Sequence, residues 1–189
     1  MTPSNVSINL ATHADLPRIL ELTNWAARET SANFALEPEL LAPLEAAWRD
    51  THDRHPWLVA TVDRHVVGFA RSRPHHTRGA YAWTAEMTVY IDPEFHGRKI
   101  GTTLYNVLIP ILRSQGYETL LAGIVKGHEA SERLHANVGF VRCATFHRVG
   151  WKFNAWHDVG YWELHFHGEG RAPTALRPVK DVLRDGAFL

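Results

Sequence analysis

The sequence predicts an alternating α+β (α/β) fold built around one sheet. Three observations carry this expectation. Short runs rich in Val, Thr, Tyr and Trp alternate with apolar stripes at helical spacing. The runs WLVATVD (57–63) and VVGFARSR (66–73) lie close enough to form an antiparallel hairpin around Arg64-His65. Finally, YAWTAEMTVYID (81–92) reads as a long strand that enters a glycine-bearing loop and then a helix.

Taken in order, VSINLA (6–11) alternates as a short strand. Asp15 offers an N-cap and Pro17 suits a first turn, and Leu16, Ile19, Leu20 and Trp25/Ala26 recur as one helical stripe. A second helix is expected from about Pro38 to Arg49, with Leu40, Leu41, Leu44 and Trp48 on its apolar side. After the hairpin and the long strand, a helix runs from about Gly101 to Ser114. TLLAGIV (119–125) reads as a buried strand, and ASERLHANVGF as a helix closed by Gly139 in a left-handed cap. VRCATFHRVG and WHDVGYWELHF supply two last strands. Residues 1–167 therefore read as one domain, and the Gly-, Pro- and Arg-rich residues 168–189 as an irregular tail.

Composition narrows the function. Of 189 residues, 45% are apolar, enough for a real core. Twenty basic residues balance twenty acidic ones, which argues against a surface that grips nucleic acid through many phosphates. A lone cysteine, Cys143, excludes an internal disulfide and fits a reducing compartment. The opening MTPSNVSINLATHADLP has no basic flank followed by an apolar run, and no apolar stretch approaches the ~18 residues of a membrane helix. The expectation is a cytoplasmic protein without membrane or nucleic-acid partners.

The loop after the long strand invites an anion. A helix N-terminus leaves amides unpaired and carries partial positive charge, and glycines let a phosphate approach. Arg98 and Lys99 add charge there. Neither GxxxxGK[ST] nor GxGxxG is present, so a nucleoside-triphosphate loop and a dinucleotide fingerprint are excluded.

A strand followed by [Q/R]xxGx[G/A] and a helix resembles the acetyl-CoA pyrophosphate loop of the GNAT superfamily of N-acetyltransferases. Here it reads His96-Gly97-Arg98-Lys99-Ile100-Gly101, with His96 in place of Gln or Arg and Lys99 in place of the first glycine. The lysine is tolerable if its backbone stays right-handed, since its amide then still points at the phosphate. A second signature, NxxAxxLYxxxGF, is matched by His128 to Phe140, with His128 and His135 replacing Asn and Tyr. ETSANFALEP, HPWLVATV, RGAYAWTAEMTVYI, GTTLYNVL, SERLHANVGF and WHDVGYWELHF together resemble the phosphinothricin and methionine sulfoximine N-acetyltransferase branch, from about residue 6 to 167.

The resemblance implies a GNAT fold, with a mixed, mostly antiparallel sheet and helices on both faces. It implies acetyl transfer from acetyl-CoA to the α-amine of a glutamate- or methionine-like amino acid analogue, in a homodimer. Acetyl-CoA would then lie along Met87, Thr88 and Val89, over His96, Gly97, Arg98, Lys99, Ile100, Gly101 and Thr102, and beside His128 and Ser131. The glutamate at position 86 is catalytic in the resembling family, and His135 stands where many members carry a tyrosine near the departing sulfur. Arg78 and Tyr81 match the family's substrate pair, with Phe34 and Val159 as pocket walls.

Chemistry read from the residues agrees. An α-ammonium is protonated at neutral pH and cannot attack a thioester, so a base must lie within reach. Glu86 shares a strand face with Thr88 and Tyr90, and a carboxylate flanked by Trp83, Met87 and Val89 is costly without a partner or a role. An edge-strand salt bridge is the plainer account. His135, with a reference pKa near ~6.5, could serve as base or as proton donor, and the sequence leaves open which of the two takes the first proton. Arg78 suits bidentate capture of a carboxylate or phosphinate, whereas Arg71 and Arg73 read as solvated or interfacial. The thirteen histidines raise a metal alternative, with His128, Glu132 and His135 on one helix face, but HExxH is absent and the expectation is no metal. A non-catalytic acetyl-CoA-binding domain is the remaining rival, disfavoured by the presence of Glu86 and His135.

Overall fold

The computed structural model describes residues 6–166, 170 and 172–186. Seven strands form one sheet: β1 (Ser7–Leu10), β2 (Trp57–Val62), β3 (His65–Pro74), β4 (Thr84–Ile91), β5 (Thr119–Val125), β6 (Val141–Lys152) and β7 (Ala155–His165). Their order is β1-β2-β3-β4-β5-β7-β6. Every neighbouring pair is antiparallel except β4 and β5.

Helices cover both faces. α1 (Leu16–Glu29) and α2 (Leu41–Thr51) bury Leu16, Ile19, Leu22 and Leu44 against Trp57, Val59 and Phe69. On the opposite face α3 (Ile100–Gln115) packs Ile100, Leu104, Tyr105, Leu108, Ile111 and Leu112 over Leu58, Ala60, Ala70, Ala85 and Met87. Each fully buried aliphatic chain of this kind contributes roughly 1.5–3 kcal/mol. α4 (Glu129–Asn137) contributes Leu134 to the same core, and Gly139 ends it with φ of 100°, as expected for a left-handed cap.

Several boundaries differ from the sequence reading. Asp15 precedes α1 but does not cap it. Its carboxylate instead accepts from the Thr12 amide at 2.8 Å and the Thr12 hydroxyl at 2.7 Å. The hairpin turns on Asp63 and Arg64, both with positive φ, one residue earlier than expected. β4 begins at Thr84 rather than 81, because Gly79–Tyr81 coils into a 3₁₀ turn. The expected irregular tail contains a helix, α5 (Val179–Asp185). Val179 and Val182 are buried there, Val182 in the α3 core. The segment is anchored by the Val179 amide on the Asp53 carbonyl (2.7 Å) and by the Gln115 amide on the Arg54 and Arg177 carbonyls (2.9 Å each). Two apolar positions three residues apart suffice to dock it. Residues 167–169, 171 and 187–189 of that segment lie outside the described residues.

The parallel pair positions the site. β4 and β5 are in register only from Thr84 to Glu86 against Thr119 to Leu121. β4 continues to Ile91 on β3, and β5 continues to Val125 on β7. The two strands therefore part beyond Glu86. Alternate amides and carbonyls of a strand point to opposite sides, so those of Met87–Ile91 that do not face β3 face the gap. Among the described residues no helix is long and apolar enough to cross a membrane.

Candidate active site

Where β4 and β5 part, a cleft of about 860 Å³ opens. Met87 to Ile91 form one wall and Ala122 to Val125 the other; the loop before α3 closes one end, and Asn33, Phe34, Glu39 and Arg71 lie at the other. Its walls bring together Phe34, Glu86, Met87, Thr88, Val89, His96, Gly97, Lys99, Ile100, Gly101, Thr102, His128, Ser131 and His135 of the residues the sequence singled out. Arg78, Tyr81, Arg98 and Val159 are not on the wall.

Each of these four has a physical reason to be elsewhere. Val159 is buried in the β5–β7 layer, where a side chain on Gly123 would touch it at 3.5 Å. Tyr161, two residues on, lies over that same bare glycine and reaches the cleft instead. Arg98 is exposed with its guanidinium 4.7 Å above the Phe95 ring. Tyr81, in the 3₁₀ turn and 43% exposed, packs on His76 (5.0 Å between ring centres) and His75 (5.6 Å). Arg78 flanks that turn, its amide donating to His76 at 3.2 Å.

The loop differs from expectation at one decisive residue. Lys99 is left-handed (φ 61°, ψ 15°), not right-handed, at the N-cap position of α3. Its carbonyl accepts from the Thr103 amide at 3.0 Å and the Thr103 hydroxyl at 3.2 Å. The next amides, from Ile100 to Thr102, begin a helix and have no preceding turn to bond. Gly97 has φ of 76° and nothing within 4 Å of where a side chain would start, so an anion has room there. Gly101 is bare for a different reason. A Cβ on it would meet Leu134 Cδ1 at 3.1 Å, so it is the α3–α4 contact that excludes a side chain. His128 takes over the capping work of an asparagine: its Nδ1 accepts from the Ser131 amide at 3.3 Å at the start of α4. His96 donates from Nε2 to the Ile91 carbonyl at 2.9 Å.

Glu86 sits in a central strand, not at an edge, and its side chain is 19% exposed. Strand register sets Arg73 directly opposite it, and the two side chains form an ion pair. The other carboxylate oxygen meets His75 Nδ1 at 2.8 Å. His75 thus links Glu86 to the Tyr81 turn. A carboxylate oxygen has more than one lone pair, so these bonds leave capacity for a substrate proton.

His135 is 3% exposed. Its Nδ1 lies 2.8 Å from the Ser131 carbonyl, which can only accept, so the proton is on Nδ1 and Nε2 carries the lone pair. Nε2 accepts from the Tyr105 hydroxyl at 3.2 Å. Burial lowers the His135 pKa, partly offset by the Ser131 bond, which keeps the ring neutral. Burial likewise pushes the Tyr105 phenol far above its ordinary range. With Nδ1 donating to Ser131 and the Nε2 lone pair taken by Tyr105, His135 as found neither gives a proton to the cleft nor holds a free lone pair to receive one.

Sequence reasoning missed Tyr105, Arg73, His75 and Tyr161. Arg71 and Arg73, read as solvated or interfacial, lie on the cleft wall. The Phe34 end of the cleft is also held from afar. The Lys152 ammonium, at the tip of the β6–β7 hairpin, donates to the carbonyls of Ala27, Thr30 and Asn33, capping α1 and pinning the loop that carries Phe34. Among the described residues no three His, Cys, Asp or Glu gather as a metal site.

Comparison with known proteins decides the family. Residues 19–140 match the model of the acetyltransferase (GNAT) family. The chain belongs to the GNAT family. Its relatives in that family include the phosphinothricin N-acetyltransferase of Streptomyces viridochromogenes, 36% identical over 181 residues and 94% of both chains. The L-methionine sulfoximine/L-methionine sulfone acetyltransferase of Pseudomonas aeruginosa is 34% identical over 172 residues, 89% of this chain and 99% of that protein. A GNAT phosphinothricin acetyltransferase from Sinorhizobium meliloti, solved in complex with acetyl-CoA, superposes with a TM-score of 0.85 at 26% identity, covering 89% of this chain and 93% of that one. The mixed sheet with helices on both faces is the GNAT fold that the sequence predicts.

Proposed function

We propose that this protein moves the acetyl group of acetyl-CoA to the α-amine of an amino acid analogue of the phosphinothricin or methionine sulfoximine kind. Transfer is direct, within a ternary complex. The observation that carries the reading is the parting of β4 and β5, which sets Glu86 at the acceptor end of a cleft whose other end is an anion-ready loop.

The residues present fit acetyl-CoA. The open space at Gly97 and the helix-start amides from Ile100 to Thr102 suit its pyrophosphate, and the gap-facing backbone of Met87 to Val89 suits the pantetheine arm. When bound, acetyl-CoA supplies the activated acyl carbon. Glu86 takes the ammonium proton, directly or through one water, freeing the amine to attack the acyl carbon; as the C–N bond forms the C–S bond breaks, and a second amine proton passes to the departing thiolate. A strand amide near Met87 or Val89 polarises the acyl oxygen. His135, neutral with its lone pair held by Tyr105, joins the proton path through that hydroxyl, taking its proton as Tyr105 receives another. Tyr81, packed on the His75 ring that bonds Glu86, and Arg78, which flanks its turn, are assigned to the distal acidic end of the acceptor.

An interface helps to complete the site. Val141, Phe146, Val149, Trp151, Phe153 and Trp156 are each more than half exposed on the β6–β7 hairpin, and β6 is a sheet edge. Large apolar side chains concentrated on an edge favour association. A homodimer acting in the cytoplasm is the proposed state, and light scattering that gives only the 21.4 kDa monomer at micromolar concentration overturns it.

A thiol-release assay over amino acid analogues tests the reaction. Glu86→Gln lowers kcat by roughly 10²–10⁴-fold with acetyl-CoA affinity nearly intact. Cys143→Ala is silent, because Cys143 lies on β6 and desolvation, then Glu163, raises its pKa against thiolate formation. Loss of turnover in Cys143→Ala with retention in Glu86→Gln would point to an acyl-enzyme and refute direct transfer.

A further inference from the structure

Arg71 is a cation without an anion. It lies on β3 with Trp57 opposite on one side and Thr88 opposite on the other. Opposed residues of antiparallel strands share a face, so Arg71 belongs to the row that contains Arg73, Glu86 and Thr88. Its guanidinium lies 4.4 Å over the Trp57 ring, and its side chain is on the cleft wall. Nε is buried and makes no hydrogen bond, and among the described residues no carboxylate comes within ion-pair distance of the guanidinium. Glu39, on the same wall, acts on it only through the field.

Such an arrangement is costly unless something arrives to match it. A guanidinium withdrawn from water and left unpaired forfeits solvation, and burial lowers the Arg71 pKa accordingly. Stacking on Trp57 fixes the plane of the fork at small entropic cost, which prepares it for a planar oxyanion. Arg73, by contrast, is already spent on Glu86.

Position selects which oxyanion. Glu86 and Arg71 stand on facing strands two residues out of register, a diagonal of about 7–8 Å between backbones that their side chains easily bridge. An amine held at Glu86 therefore carries its own α-carboxylate to Arg71. Phosphinothricin and methionine sulfone differ at the far end but share the α-amino and α-carboxylate groups.

Building on the proposed amino acid acetylation, we propose that Arg71 is the specificity residue that receives the α-carboxylate of the acceptor, through bidentate hydrogen bonds in line with Trp57. Arg78 is then left to the distal group alone. The enzyme accordingly selects free amino acids over amines whose adjacent carboxyl is esterified or amidated.

The test compares L-methionine sulfone with its methyl ester, in wild type, Arg71→Met and Arg71→Lys. Methionine at 71 keeps an apolar stem over Trp57, and lysine keeps the charge without the fork. Wild type has the lower KM for the free acid. In Arg71→Met that KM rises about 10–150-fold, the range for a lost hydrogen bond to a charged group. KM for the ester and for acetyl-CoA stays within about twofold. Arg71→Lys falls between. The acid-to-ester ratio is independent of how much protein is folded, so a destabilised variant still reports. Equal rises for acid and ester, or no rise for the acid, overturn the assignment while acetyl transfer itself stands. A wild type that acetylates neither compound nor phosphinothricin overturns the amino acid reading, and the Arg71 assignment with it.

Discussion

Lys99 carries the left-handed backbone that the turn into α3 demands, with φ of 61°. A side chain in that region costs roughly 1–2 kcal/mol relative to glycine. Glycine returns part of this, about 0.4–1 kcal/mol, through the greater freedom of its unfolded chain. Lys99→Gly should therefore stabilise the protein by about 0.5–1 kcal/mol net. For a chain of this length that is a rise in Tm of about 1–4 °C. Lys99→Ala is the control, because it removes the ammonium and keeps the Cβ that causes the strain. Its Tm should match wild type within about 1 °C. Both variants lose the same small share of acetyl-CoA affinity, about fivefold or less, since the lysine is exposed and its charge is screened by water. Scanning calorimetry measures the first quantity and titration calorimetry the second. A Lys99→Gly protein that melts at or below Lys99→Ala refutes the strain argument. A loss of affinity confined to one of the two refutes the charge argument.

The buried His55, between Ser72 and Tyr117, should make stability depend on pH. Burial, with Arg54 a lesser cause, lowers the His55 pKa to about 4, so the folded state holds it neutral while the unfolded chain protonates near 6.5. Stability is therefore full above about pH 6.5 and falls as pH drops toward 4, by up to ~1.4 kcal/mol per unit and about 3 kcal/mol in all. Urea melts at pH 7, 5.5 and 4.5 should show a shallower decline for His55→Gln, and an unchanged slope rejects His55 as its source. Tyr105→Phe leaves the buried His135 Nε2 without a donor, so stability should fall by about 1–3 kcal/mol. If the dyad orients the proton path, kcat should fall as well, by up to about 10²-fold with KM for acetyl-CoA unchanged. A variant that is merely less stable, with kcat intact, makes Tyr105 a packing residue. Gly101→Asp should lower both stability and acetyl-CoA binding, since its Cβ meets Leu134 first. Normal stability with lost binding would show that the side chain reaches the phosphates instead.

Much of the architecture was legible because the apolar periodicities are long. α1, α3, β5 and the two last strands were expected within a few residues of where they lie. Glu86 and His135, singled out mainly by the family resemblance, both line the cleft. What stayed hidden depends on register between elements. Arg73 meets Glu86, and Arg71 meets Trp57, only because β2, β3 and β4 pair as they do, and nothing along β3 announces that alignment. Tyr105 drew no reading of its own, because only the packing of α4 brings His135 against its hydroxyl. The left-handed Lys99 was read the wrong way because lysine rarely adopts that backbone. α5 was missed because a helix of seven residues with two buried valines has too little pattern to stand out from a Gly- and Pro-rich stretch.

The three carbonyls gathered by Lys152 have a consequence for the order in which the molecule is completed. They belong to residues 119, 122 and 125 positions earlier in the chain. The part of the cleft proposed for acetyl-CoA, from Glu86 to His135, closes over loops less than half as long. Contacts between distant positions form late, because the entropy of closing the intervening chain must be met first. On the ribosome the loop bearing Asn33 and Phe34 is made early and is held at first only locally, by the Asn33 side chain on the Thr23 carbonyl and by Asn24 on the Glu39 backbone, until the tip of the last hairpin emerges. The Phe34 end of the cleft is therefore completed last, and a chain cut short before residue 152 would lose both the Lys152 anchor and β7, the strand on which β5 pairs from Thr119 to Val125.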